Sequence, residues 1–192
     1  MIREQLTYGF GRLAAVARQR DWGAGEAAGL TPTQGDVLRL LADRPAGLRL
    51  KDLAAQLSVR PSTASDAVSS LVGKGLVERS ADPDNGKAIC VTLSPGGRSI
   101  LGQVPDGHHS IVELMSDDDV AAVHGAVLRT ITHLQRAGQI APQRMCVTCR
   151  YFVSEADLDA SAGHFCRLIK KPLEMADLRI NCPEHEELTV YK

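Results

Sequence analysis

Four of the five cysteines in the chain lie within one short stretch, residues 146–182. The first two form a CxxC pair, and the other two follow as single residues after gaps of sixteen and fifteen residues. A two-residue gap lets two thiolates reach one metal centre, and four cysteines are the usual ligands of tetrahedral zinc or of an iron–sulfur cluster. The predicted metal ligands are Cys146, Cys149, Cys166 and Cys182.

The surroundings of these cysteines also favour a metal-dependent module. Residues 142–192 contain few apolar side chains, and small modules of this kind generally need a metal or a crosslink. We expect Zn²⁺ as the cofactor because it is the usual structural metal, with an iron–sulfur cluster as the alternative that would suit a sensor. His164 and His185 lie near the last two cysteines and could replace one as a ligand. Buried cysteines without metal remain a competing interpretation, and a disulfide is disfavoured in a reducing cytosol.

The rest of the composition is that of an ordinary globular protein. The 192 residues are 44% hydrophobic and 23% charged. No apolar run approaches the roughly 20 residues of a membrane span, and the first residues lack the basic-then-apolar order of a signal peptide. We therefore expect a cytoplasmic protein without a membrane partner.

The charge distribution indicates where a polyanion would bind. The net charge is −1, but residues 44–98 carry eight basic and five acidic residues, whereas residues 99–192 carry nine basic and thirteen acidic ones. Phosphate contacts need locally clustered lysine and arginine. A nucleic-acid site is therefore expected in the middle of the chain.

That middle part has the pattern of two short helices joined by a tight turn. A capping box formed by Thr31 and Gln34 starts the helix before them. Pro61 stands in the first turn of the second short helix, and Gly75 closes it at the usual left-handed cap position. The sequence thus predicts a helix-turn-helix over about residues 51–75.

A β-hairpin is predicted directly after the helix-turn-helix. Two apolar segments flank Asn85-Gly86, and Asn-Gly is a strong signal for a two-residue hairpin turn. The hairpin, or wing, spans about residues 76–93, and residues 48–50 form a further short strand candidate. Cys90 lies apart from the other cysteines on this wing and is expected to be a small residue that fits its position.

Three further segments are predicted as amphipathic helices: residues 3–20, 98–115 and 117–137. Pro105 and Gly107 disturb the second of them. The apolar stripes of these helices must be covered by another surface. They are therefore expected to form a platform for dimerisation.

Residues 3–138 resemble the MarR family of winged-helix transcription regulators. The resemblance rests on four segments of the sequence, which are LAAQL at 53–57, PSTAS at 61–65, LVGKGLVER at 71–79, and DPD at 82–84 continuing to VTLSPGG at 91–97. It implies a mainly α (α+β) winged helix-turn-helix fold, a homodimer, and binding to double-stranded DNA. Two recognition helices related by a two-fold axis lie about one DNA turn, roughly 34 Å, apart, which predicts an inverted-repeat operator.

The residues expected to contact DNA lie on the second short helix and on the wing. Hydroxyl side chains and free backbone N–H groups at a helix start can meet phosphates and base edges, and basic groups at the helix end and wing can meet phosphates. The predicted DNA-binding residues are Arg60, Ser62, Thr63, Ser65, Asp66, Ser69, Lys74, Arg79 and Lys87. Asp66 either pairs with Arg60 or Lys74, which we take as the first interpretation, or accepts a hydrogen bond from cytosine N4.

We therefore predict two domains, a winged-helix DNA-binding and dimerisation domain at 1–141 and a cysteine-rich metal-binding extension at 142–192. The predicted function is a transcriptional regulator, in the first instance a repressor, whose metal or cluster acts as a sensor. The alternatives are a structural zinc combined with a small organic effector, or an extension that docks a protein partner. An enzyme is not expected, because a closed four-thiolate site leaves no open coordination position and no catalytic constellation is present.

Overall fold

The computed structural model describes residues 1–82, 86, 88–154 and 163–188. The chain divides into two compact units, an N-terminal unit of Met1–Ser116 and a C-terminal unit of Asp117–Lys192. The sequence predicts a domain boundary between residues 141 and 142. In the structure the long helix that precedes this point belongs with the cysteine-rich segment.

The N-terminal unit contains six helices and a three-stranded antiparallel sheet within its described residues. The strands are arranged in the order β1-β3-β2, and the hairpin β2–β3 pairs Val77 with Leu93 at one end and Ala81 with Ile89 at the other. The elements are α1 Ile2–Ala27, α2 Pro32–Ala42, β1 Leu48–Arg49, α3 Leu50–Gln56, α4 Pro61–Gly73, β2 Val77–Ala81, β3 Ile89–Leu93, α5 Pro95–Leu101 and α6 His109–Val112.

Local chemistry explains the ends of the central helices. Thr31 and Gln34 form the predicted capping box at the start of α2, with the Gln34 N–H 3.3 Å from Thr31 Oγ1 and the Thr31 N–H 3.2 Å from Gln34 Oε1. Gly75 follows α4 with φ +69°, the left-handed conformation that glycine adopts without steric cost. The predicted helix-turn-helix and hairpin are confirmed, and so is the mainly α (α+β) fold class.

The core of the N-terminal unit lies between α2, α3, α4 and the sheet. Its side chains are fully buried, which removes them from water at a gain of roughly 1.5–3 kcal/mol for each large apolar residue. The largest of them are Val37, Leu38, Leu41, Leu53, Val68, Leu71, Val77 and Val91. This burial orients α4 relative to α2, because the two helices share the same core.

A charged network joins α1 and α2 to the segment between α5 and α6. Asp21 of α1 is only 5% exposed, and its carboxylate lies 3.0 Å from Arg39 of α2 and 3.1 Å from the Gly107 N–H. Arg39 also lies 3.2 Å from Asp36 and 3.2 Å from Asp106. A buried carboxylate is tolerated only when it is paired and hydrogen-bonded in this way.

Two predicted helices differ in extent from those of the structure. The predicted disturbance at Pro105 and Gly107 divides the segment 98–115 into α5 and α6. Gly107 passes close to α1, where a Cβ would lie 2.3 Å from the Ala17 carbonyl oxygen, so no side chain fits at this position. The predicted helix 3–20 extends to Ala27. Its later glycines are compatible with a helix that packs closely, and Gly25 is one of its three buried residues.

Much of the apolar surface of α1 is uncovered within the single chain. Only Ala17, Asp21 and Gly25 of this helix are buried. The exposed large apolar side chains of α1 are Ile2, Leu6, Tyr8, Phe10, Leu13 and Trp22.

Within its described residues, the C-terminal unit has one long helix, a small sheet and two 3₁₀ turns. The sheet is antiparallel with the strand order β4-β5-β6. The elements are α7 Asp117–Arg136, a turn at Cys146–Thr148, β4 Phe152–Val153, β5 His164–Cys166, β6 Lys171–Leu173 and a turn at Met175–Asp177. Across the described residues, no helix is both long and apolar enough to cross a membrane.

Replacing Arg39 with alanine should destabilise the N-terminal unit by about 3 kcal/mol, because the Asp21 carboxylate would stay buried without its partner. Urea unfolding followed by circular dichroism measures this change. The matched control is Arg98→Ala, which removes an exposed arginine and should shift the unfolding free energy by less than about 0.5 kcal/mol. Equal effects of the two substitutions would contradict the structural role of the network.

Candidate functional site

The two faces of α4 differ sharply in chemistry. The inner face carries Ala64, Ala67, Val68 and Leu71, all of which are buried in the core. The outward-facing exposed residues are Ser62, Thr63, Asp66 and Ser69. The structure therefore brings four of the predicted DNA-binding residues onto one exposed surface.

The start of α4 is open to a ligand. Pro61 occupies the first position, Arg60 precedes it, and no side chain caps the helix. The first N–H groups of a helix have no partner within the helix, and they carry the positive end of the helix dipole. Arg60 is exposed beside them. This end of α4 is suited to a phosphate group.

Two residues predicted to contact phosphate, Arg79 and Lys74, form hydrogen bonds within the protein instead. Arg79 on β2 donates to Ser69 Oγ at 2.7 Å and to the Ser65 carbonyl at 3.4 Å. Its guanidinium therefore braces the hairpin against α4. Lys74 donates to Gln34 Oε1 at 2.8 Å and to the carbonyl of Gly29.

Asp66 makes neither of the ion pairs expected for it. Within the described part of the chain, no salt bridge joins Asp66 to Arg60 or to Lys74, and the Lys74 ammonium is bound elsewhere. The pairing interpretation is thus not supported by the structure. The carboxylate of Asp66 remains exposed on the outer face of α4.

The base of the hairpin is held by an ion pair that the sequence did not reveal. Arg49 Nε and Nη2 both donate to the carboxylate of Asp82, which is buried where β2 ends. The Asp82 N–H also donates to the Ala88 carbonyl at 2.9 Å. Lys87, the predicted minor-groove contact, lies outside the described residues.

The four clustered cysteines line one cavity of about 90 Å³ in the C-terminal unit. They come from the first 3₁₀ turn and the residue after it, from β5, and from the segment beyond the second turn. The remaining walls are mainly apolar or aromatic. The cysteines are Cys146, Cys149, Cys166 and Cys182, and the apolar and aromatic lining residues are Tyr151, Phe152, Leu168, Ile169 and Leu173.

The pKa of the Cys146 thiol is affected by its position among the other three cysteines of the cavity. Burial raises the pKa of its thiol, whereas the backbone N–H of Arg179, 3.2 Å from Cys146 Sγ, acts to lower it. The other three thiols of the cavity raise the same pKa through their charge. Burial likewise raises the pKa of the Cys182 thiol.

The cavity is not arranged around a single point. Among the residues that the structure describes, no group of three or more His, Cys, Asp or Glu side chains is placed to hold one metal ion. Neither histidine proposed as a substitute ligand lines the cavity. The His185 ring nitrogen is instead 3.1 Å from Thr148 Oγ1, and His164 packs against Phe152 with ring centroids 5.2 Å apart.

Cys90 is separate from this site. It is buried on β3, and its thiol lies 3.4 Å from the Ala46 carbonyl oxygen. The neighbouring Ile89 is the exposed residue at the end of the strand. The expectation that Cys90 simply fits its position agrees with this environment.

The cavity depends on α7 for its support. A second apolar cluster joins Leu128 of α7 to Met145, Leu173 and Leu178, and Cys146 and Cys166 pack against it. Met145 is fully buried. Cysteine spacing gave no sign of this arrangement. The sequence signal for it is the apolar face of α7, which by itself predicts only a dimer interface.

The helix-turn-helix and antiparallel hairpin of the N-terminal unit define the winged-helix class of protein. The model of the MarR family matches residues 30–89, which extend from just before α2 to the start of β3. The matched residues therefore have the winged-helix fold of that family of transcriptional regulators. The expectation that the chain is not an enzyme agrees with this match.

Individual proteins of known sequence or structure are also similar to this chain. An uncharacterized HTH-type transcriptional regulator of Bacillus subtilis, YwhA, is 26% identical over 82 residues, which are 43% of this chain and 58% of that protein. CouR from Rhodococcus jostii, solved with p-coumaroyl-CoA, has a TM-score of 0.59 and 21% identity over 68% of this chain and 94% of its own. MepR from S. aureus, solved with DNA, has a TM-score of 0.57 and 20% identity over 67% of this chain and 97% of its own.

Replacing Leu128 with alanine should loosen the cysteine cavity. Loss of a buried leucine costs about 3 kcal/mol, and here the lost contacts are those that support Met145 and the cavity wall. Hydrogen exchange read by mass spectrometry should become faster in residues 145–153 and 164–178, with no change in residues 53–71. The exposed Thr130→Ala on the same helix is the control. Unchanged exchange around the cysteines would show that α7 does not support the cavity.

Proposed function

We propose that the protein is a homodimeric DNA-binding transcriptional regulator with a metal centre in its C-terminal unit. The observation that carries the DNA-binding function is the exposed polar face of α4, whose opposite face is buried in the core. Helices placed after a tight turn in this way enter the major groove of DNA. The match of residues 30–89 to a family of transcriptional regulators supports the same function.

Each part of α4 has a separate role in this proposal. The uncapped helix start and Arg60 bind phosphate, which fixes the position of the helix on the duplex. Ser62, Thr63 and Asp66 face the base edges. Arg79 is a positioning residue, because it braces Ser69 and the hairpin rather than extending toward solvent.

The uncovered apolar surface of α1 supports the homodimer. A row of exposed apolar side chains along a helix is costly in water and marks an interaction surface. A second copy of the chain would cover it with the same surface, as a two-fold dimer requires. In the C-terminal unit, α7 separately carries the exposed apolar side chains Val120 and Val123. Two copies of α4 then bind the two halves of an inverted repeat.

The C-terminal unit is proposed to bind its metal centre through the four cysteines that line the cavity. Three separate segments contribute these thiols, and a bound metal would hold the segments together in a module with few apolar residues. Because α7 supports the cavity and follows the N-terminal unit directly, metal gain or loss could change the dimer and its DNA affinity. The regulator would then act as a sensor, in the first instance a repressor.

A second candidate keeps the DNA-binding role but assigns sensing to an organic ligand. CouR, a protein of the same fold, was solved with p-coumaroyl-CoA. In this alternative the metal is structural zinc, and an organic effector controls DNA affinity. The two candidates differ in whether removal of the metal changes operator binding in a chain that stays folded.

Thr63→Ala should weaken binding to a selected DNA operator by about tenfold, since it removes one hydroxyl contact to DNA without opening the core. The operator is obtained by selection from random double-stranded DNA, and affinity is measured by fluorescence anisotropy. Thr130→Ala, an exposed threonine on α7, is the matched control and should leave the affinity unchanged. A selected site without two inverted half-sites, or equal affinity of both variants, would contradict the proposed binding mode.

Asp66→Ala should remove a cytosine preference from each half-site. A carboxylate that accepts a hydrogen bond from cytosine N4 discriminates against other bases by about 1–3 kcal/mol, and Asp66 has no cationic partner in the described chain to occupy it. Selection experiments with the two proteins compare the base preferences directly. If the same bases are selected by both, Asp66 does not read the DNA.

A further inference from the structure

We propose that the cysteine cavity holds an iron–sulfur cluster rather than a single zinc ion. This inference rests on the proposed metal-binding role of the C-terminal unit and names its cofactor. It depends on how the four thiols are distributed in space, which cysteine spacing in the sequence cannot show.

A zinc ion would draw the four sulfurs to one point. With Zn–S bonds of about 2.3 Å, neighbouring sulfurs of a tetrahedral site lie only about 3.8 Å apart and leave no space between them. In the structure the thiols stand in the walls of a cavity, and no three ligand side chains among the described residues are placed for one ion. The arrangement therefore differs from a closed mononuclear site.

The size of the cavity agrees with a larger group. Its volume is about 90 Å³. A site for one water molecule needs roughly 10–15 Å³ on the same kind of measure, so the cavity that the thiols line is several-fold larger than a space for one small ion. A cluster has an inorganic core of iron and sulfide, with one cysteine on each corner iron or two on each iron of a smaller cluster. That core would occupy the space that one ion leaves empty.

The walls of the cavity also suit a cluster. Phe152, Leu168 and Ile169 supply an apolar lining around the thiols. The Arg179 N–H donates to Cys146 Sγ at 3.2 Å, and its guanidinium lies 4.0 Å from Cys182 Sγ. Hydrogen bonds to sulfur are among the features by which proteins set the reduction potential of a cluster. The Arg179 guanidinium also pairs with Glu184 at 3.4 Å, and Glu184 and Asp177 complete the lining of the cavity.

The test is anaerobic purification of the full chain, followed by metal and acid-labile sulfide analysis and a visible absorption spectrum. We expect a brown protein with iron and sulfide in equal amounts, about two to four of each per chain. Cys166→Ser should lose most of this iron and colour. Cys90→Ser is the matched control, because Cys90 is buried in the other unit and the serine hydroxyl can keep the hydrogen bond to the Ala46 carbonyl. This variant should retain both the iron and the colour.

A different cofactor would give a different result. About one zinc per chain, with no cluster formed after incubation with ferrous iron and sulfide, would overturn the cluster while leaving the four-cysteine metal site in place. If the chain retains neither zinc nor iron under both conditions, both the cluster and the proposed metal site are wrong. Neither result affects the DNA-binding proposal, which is measured separately on the selected operator.

Discussion

The apolar contact between α2 and α4 is the interaction on which the N-terminal unit depends. Val37, Leu38 and Leu41 of α2 are fully buried in the same core as Val68 and Leu71 of α4. Because α4 can turn only one face to this core, the opposite face must point to solvent. The charges around Arg39 hold α1 beside α2, and Arg79 holds the hairpin beside α4. The polar face of α4 is thus presented by a supported helix.

The C-terminal unit is stabilised by a much smaller apolar cluster. Among its described residues, the apolar cluster has four buried members, Leu128, Met145, Leu173 and Leu178, one of which lies on α7. The metal centre that we propose would add a further link between the cysteine segments. The helix α7 is therefore part of the unit that carries the cysteine cavity.

Much of this arrangement was predictable because its causes are local. The capping box at Thr31, the glycine after α4 and the alternation along the hairpin specify their elements by short-range chemistry. The partners of Lys74 and Arg79 were not predictable, because they come from distant segments and a basic side chain on a surface helix gives no sign of them. Periodicity could not show that α7 supports the cysteine cavity either, since one apolar face can cover several surfaces. The grouping of four cysteines was expected from spacing, but their separation around a cavity required the fold.

We propose that this chain couples a DNA-binding unit to a cysteine-bound cofactor. The direct measurement is the affinity of the full chain for its selected operator, determined anaerobically by fluorescence anisotropy before and after removal of the cofactor by a chelator. The account predicts a change of at least about tenfold, equivalent to about 1.4 kcal/mol of coupling free energy, and no response to the chelator in Cys166→Ser. Equal operator affinity of the loaded and stripped proteins, both folded, would contradict the account.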